Sequence, residues 1–154
     1  MIISDSTSLI ILNNIKRLDL LEVFGRVYIP KKVYEEINIK NDFILPDFIE
    51  IKKIKKDELY FYLIKILDEG ESEAIVLAKE MNLGLIIDEK KGRKIAKNLN
   101  IKILGFLGIL FINYQKKKTS KEEIIKIIDD AKKMGYRISD KLLKDFFESL
   151  NKDY

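Results

Sequence analysis

The sequence predicts an α/β fold: a three-layer α/β/α sandwich with a mainly parallel central sheet and a C-terminal helical tail. Short apolar runs alternate with longer segments whose apolar residues recur at helical spacing, which is the mark of successive strand–helix units and of a parallel sheet covered on both faces. Two of the runs, Ile2-Ile3-Ser4-Asp5 and Leu85-Ile86-Ile87-Asp88, exit into an aspartate. The chain has 154 residues, 47% of them apolar, with Gly 7 and Pro 2, which allows one sizeable core joined by short loops. Sites in such sheets form at the carboxyl ends of the strands, so the two aspartates mark where to look for function.

Taken in order, Ile2 to Ser4 opens a short strand. Thr7 to Lys16 reads as a helix on Leu9, Leu12 and Ile15, with Ile10 and Ile11 broadening its face. Leu18, Leu21 and Val23–Phe24 predict a second short helix that Gly25 ends. Arg26 to Ile29 is a brief strand, Pro30 suits a first helical position, and Lys31 to Ile37 follows as helix. Asn38 to Pro46 reads as loop, and the alternation from Phe48 to Ile54 as a strand. Asp57 to Leu67 and Glu71 to Met81 are helical, Leu83 to Ile87 is a buried strand, Glu89 to Leu99 is a helix with a basic face, and Ile101 to Leu104 is a strand. Gly105 and Gly108 open an apolar helix to Tyr114. The tail starts with a capping box, Ser120-Lys121-Glu122-Glu123, whose helix runs to Met134 and stops at Gly135; Ser139 caps a last helix to about Leu150. Residues 1–154 read as a single domain with 119–150 as a helical extension, and Lys116-Lys117-Lys118 as a solvated turn.

The residue types that are missing narrow the chemistry. With Cys 0 and His 0 there is no disulfide framework, no Cys or His zinc site, no Ser-His-Asp triad, no cysteine nucleophile and no histidine base. Catalysis would fall to carboxylates, Lys, Tyr, hydroxyls or a hard metal ion. The net charge of +4 is mildly basic, too mild to establish a nucleic-acid partner by itself. Asp5 comes too early for a signal-peptide core, and no apolar run approaches the ~20 residues of a membrane helix, so a cytoplasmic protein with no membrane partner is expected.

Four segments offer acids. Asp5 and Asp88 leave strands; each would also serve as a helix cap, but two like charges in one cleft call for a cation. Glu36 borders the buried face of its helix, while Glu35 points more nearly away. Glu71 stands in line with Ala74, Ile75 and Ala78, and Glu73 falls at the margin of that face. Oxygen donors without His or Cys select Mg²⁺ or Mn²⁺, which activate water and stabilise phosphoryl transfer.

These segments together resemble the PIN-domain family of metal-dependent ribonucleases, in the branch of VapC-type toxins and especially a related PIN-like group. Asp5-Ser6-Thr7-Ser8 is similar to the family's first acid followed by a hydroxyl residue. Ile29 to Ile37 resembles the second motif with Glu36 in the acidic place, Gly70 to Ala78 the third, Leu85 to Arg93 the fourth, and Gly105-Phe106-Leu107-Gly108-Ile109-Leu110 the next signature. The third acid, usually Asp in the family, is Glu here; spacing favours Glu71, with Glu73 as its substitute.

The resemblance implies an endoribonuclease in which Asp5, Glu36, Glu71 and Asp88 are catalytic metal ligands for Mg²⁺ or Mn²⁺. It implies that Ser6 or Thr7 steadies Asp5 or contacts phosphate, and that Arg93, with Lys90 and Lys91, draws RNA toward the cleft or, for Arg93, pairs with a carboxylate. The partners it implies are RNA, a small antitoxin protein and a second copy of the chain. A catalytically inactive PIN-like module that binds RNA or protein is the alternative, and a nuclease acting on DNA flaps is a further rival. Tyr60-Phe61-Tyr62 reads as helix packing or a dimer face, with base stacking as the sharper reading, and Phe106, Ile109, Leu110 and Tyr114 as core or a subunit interface. Thr7 stands where a HAD-type phosphatase needs its second Asp, and no Walker-type phosphate loop occurs.

Overall fold

In a computed structural model, which describes residues 1–40 and 43–152, the strands are β1 (Ile2–Ser4), β2 (Val27–Pro30), β3 (Ile49–Lys52), β4 (Gly84–Ile86) and β5 (Ile103–Leu104). They form one all-parallel sheet in the order β3-β2-β1-β4-β5. The first crossovers carry the chain outward from β1 to β3; the next returns it across β1 to β4, after which β5 continues on the far side. The direction of winding therefore reverses between β1 and β4, and in open parallel sheets ligands bind at such a switch point, outside the carboxyl ends of the strands. In register, Ile2, Ile3 and Ser4 face Gly84, Leu85 and Ile86.

The helices are α1 (Ser6–Asn14), α2 (Lys31–Lys40), α3 (Glu58–Leu63), α4 (Glu69–Met81), α5 (Lys90–Asn98), α6 (Phe106–Gln115), α7 (Lys121–Lys133) and α8 (Asp140–Leu150), with a 3₁₀ turn over Leu18–Phe24. Because alternate strand residues point to opposite faces, the sheet separates two cores. Ile2, Val27, Ile29 and Ile86 join residues of α1, α6, α7 and α8 on one side. Ile3, Tyr28, Leu85 and Ile87 join Tyr60, Leu63 and the Ala74–Ala78 run on the other. The tail helices are part of the first core, where Ile124, Ile127, Ile128 and Phe146 are buried. Among the described residues no helix is long and apolar enough to cross a membrane.

Several boundaries differ from the sequence reading. Asn38 to Lys40 continue α2 instead of starting a loop, since no breaker occurs there; residues 41 and 42 lie outside the described residues. Pro30 ends β2 rather than beginning the helix. The helix expected over Asp57–Leu67 stops at Leu63, and the chain turns so that Asp68 can cap α4, which starts at Glu69. Glu89 is the cap of α5 rather than its first residue. The capping box at Ser120 and Glu123 is present, and Gly135 follows α7 at φ +98°, a conformation that favours glycine. The aromatic triplet divides: Tyr60 is buried while Phe61 and Tyr62 are exposed.

Candidate functional site

Asp5 follows β1 and Asp88 follows β4 by two residues, so strand neighbourhood brings the two exits together. The Asp5 backbone N–H donates to the Ile86 carbonyl at 3.0 Å, locking the exit of β1 to β4. Asp5 occupies the N-cap position of α1, yet its side chain makes no capping hydrogen bond. Asp5 is 3% exposed, and its Oδ1 is buried with no hydrogen-bond partner. A buried orphaned carboxylate oxygen is costly and rare. Burial pushes the Asp5 pKa from 3.8 up to about 7; the Ser6 backbone N–H opposes this, and the charges of Asp68, Glu36 and Asp88 add to it.

The other acids arrive on separate elements. Glu36, on α2, lies against Gly70, where any Cβ would collide with its carboxylate. Burial raises its pKa, the Ser6 hydroxyl hydrogen bond works against that, and Asp68 and Glu69 push it further up. Glu71, in the first turn of α4, is raised from 4.5 to about 8, by burial first and then by Asp68 and Asp5, with Glu89 adding. A Cβ on Gly92 would lie 3.2 Å from Glu71 Oε2 and 2.7 Å from the Ile87 side chain, so glycine there lets α5 approach β4 beside the acid.

Asp88 is held from both sides. The Ser8 hydroxyl donates to its Oδ2 at 2.9 Å, and the Phe106 backbone N–H, the first of α6, reaches Oδ1 at 3.1 Å and Oδ2 at 3.2 Å. Asp88 thus caps α6, not the helix that follows it, and Gly105 leaves the room: a Cβ there would sit 2.8 Å from Oδ1. Arg93 Nη1 donates to the Ile87 carbonyl at 3.0 Å rather than pairing with an acid. Thr7 is exposed, as are Lys90 and Lys91.

Glu73, the substitute for Glu71, sits elsewhere. Its Oε1 accepts the Lys32 backbone N–H at 3.3 Å and so serves the N-terminus of α2. It lines a separate hollow with Lys31, Lys53 and Lys56. Two side chains beyond the sequence reading belong to the site. Ser8 fixes Asp88, and its place three residues beyond Asp5, on the same helical face, was the available signal. Asp68 caps α4 by accepting the Glu71 N–H at 2.8 Å and adds charge to Asp5, Glu36 and Glu71; an acid three residues before Glu71 is a capping spacing visible in the sequence.

The donor set is all oxygen, one buried oxygen is unpartnered, and burial first, then the charges of neighbouring acids, raise Asp5, Glu36 and Glu71. That chemistry fits a hard divalent cation. Among the described residues no three acidic side chains converge closely enough to surround one ion. The sequence profile of a family described as a PIN domain matches residues 1–152. No curated protein matches the chain.

Proposed function

The chain belongs to the PIN-domain family, whose fold is of nuclease type, and on that premise we propose that it is a Mg²⁺- or Mn²⁺-dependent endoribonuclease hydrolysing RNA phosphodiester bonds. The observation that carries this reading is the orphaned Oδ1 of Asp5, buried at the switch point of the sheet with the charges of Asp68, Glu36 and Asp88 acting on its carboxyl and its own charge acting on Glu71.

Asp5, Glu36, Glu71 and Asp88 are the residues that would hold the ion. When bound, a divalent ion activates water for attack and offsets charge developing on the phosphate. The protein's part is preorganisation. Ser8 and the Phe106 N–H orient Asp88, Ser6 orients Glu36, and Asp68 fixes the first turn of α4 from which Glu71 projects. Neighbouring carboxylates that raise one another's pKa favour a hard cation placed among them.

The test is cleavage of a mixed RNA panel with Mg²⁺, Mn²⁺ or EDTA, beside Asp88→Asn. Metal-dependent cutting that disappears in the variant is expected. Well-folded protein that neither cuts nor binds metal by calorimetry would overturn the reading. The same reading gives the protein a cytoplasmic place, a second copy of the chain and a small antitoxin protein as partners, which co-purification and light scattering address. The spread of the carboxylates and the Glu at the third acid favour one second reading, a non-catalytic module that binds RNA or protein. RNA binding without cleavage at any Mn²⁺ concentration would identify it.

A further inference from the structure

A groove of about 700 Å³ opens next to the acid cluster, sharing Asp88 with it. One wall is α5, from which Lys90, Arg93, Lys94 and Lys97 line the groove. Their spacing of i, i+3, i+4 and i+7 sets them on a single helical face. The facing wall is the segment between α7 and α8, which contributes Tyr136 and Arg137. The floor is apolar, with Ile103, Leu104 and Leu107. Tyr136 is fixed by its ring contact with Phe106, 4.8 Å between centroids.

The groove's charge is local. The whole chain carries only +4, yet five cations line this hollow and Asp88 is the one acid among the lining residues. Among the described residues, none of the five forms an ion pair. An exposed basic helix face is commonly interleaved with acids at i+4; after its Glu89 cap, α5 has no acid at all. Cations gathered without acidic partners, with the Tyr136 ring beside them, match a strand of phosphates whose bases can stack on an aromatic face, the pattern of single-strand binding grooves.

The geometry points to this groove as the track along which a single-stranded phosphodiester chain, RNA under the reading above, runs to the acid cluster, with Lys94, Lys97 and Arg137 on its phosphates. The inference rests on the nuclease reading for the direction of the track but not for its existence. It gives the tail a task at the site, since Arg137 is supplied by the connection between α7 and α8.

The test is binding of a labelled single-stranded oligouridylate to the full chain in EDTA, by fluorescence anisotropy across a salt series, with DNA of matching length in parallel. Each lost phosphate contact should flatten the slope of log K against log salt by about 0.7. Lys94→Gln with Lys97→Gln should flatten it by about 1.4. Arg137→Gln, outside any helix and so independent of α5 stability, should flatten it by about 0.7. Lys65→Gln, exposed on the turn after α3, should leave it unchanged. Equal slopes for RNA and DNA support a track that reads only the backbone; tighter RNA binding supports one that also uses the 2′-hydroxyl. Slopes unaffected by all three groove substitutions, or wild-type protein that binds neither strand, overturn the track. Failure of the nuclease reading is seen separately, as binding through the groove with no cleavage when Mn²⁺ is supplied.

Discussion

Burying the Asp5 carboxyl at the end of β1 destabilises the fold wherever that group is ionised, and the pH dependence follows from its sign. Asp5 is raised from 3.8 to about 7 and Glu71 from 4.5 to about 8, so the folded protein retains protons that the unfolded chain has released. Stability from these groups is fully present below about pH 4 and is lost as pH rises toward about 8. Thermal melts should therefore show a higher Tm for Asp5→Asn than for wild type at pH 8, with the difference closing near pH 4. Mn²⁺ should raise the wild-type Tm at pH 8 and leave that of Asp5→Asn nearly unmoved. A Tm difference independent of pH would contradict the assignment. Asp68 and Ser8 belong to the same scale. Each looks in sequence like an ordinary capping or helical polar residue, and only the neighbours brought by other elements give it a place at the site. Ser8→Ala should cost about 1 kcal/mol in urea unfolding and lower the cleavage rate more than RNA binding, because Asp88 loses one of its two supports.

At the level of elements, helix starts supply most of the site. Asp5 stands at the N-cap position of α1, Glu71 sits in the first turn of α4, and Asp88 caps α6. Gly70 illustrates how packing at these starts matters. Alanine there is a better helix former by up to ~1 kcal/mol, but its Cβ would displace the flexible end of Glu36. Gly70→Ala should keep or raise Tm while reducing metal-dependent cleavage, a split that circular dichroism and the cleavage assay resolve. Helix existence was legible from apolar spacing, and the capping box of α7 from four residues. Helix ends were less so. Nothing between Asp57 and Leu67 breaks a helix locally; the chain turns after Leu63 because α4 must lie back over the sheet with α3 packed beside it, a demand set by partners distant in sequence.

For the whole molecule, the sheet divides the apolar residues into two cores, and the tail belongs to the one that holds α1 and α6. Ile127→Ala, at a buried tail position, should cost about 2–4 kcal/mol in urea unfolding with no change in slope, the cost of a core cavity rather than of a surface change. A loss below ~0.5 kcal/mol would mean that the tail is energetically separate. The tail also closes one side of the basic groove through Tyr136 and Arg137.

The sequence by itself determined the class of fold, the strand exits that end in acid, and a chemistry confined to oxygen donors. Those follow from local periodicity and from which residue types the chain contains, and neither depends on distant contacts. Tertiary structure decided which exits are neighbours, since only the reversal of winding between β1 and β4 sets Asp5 beside Asp88. It separated Glu71 from Glu73, two residues apart on one helix, because about 200° of rotation turns one toward the crevice and the other toward the start of α2. It set Arg137 on the same groove as the stripe on α5, and no spacing along the chain carries that information, because the two segments belong to core layers on opposite faces of the sheet.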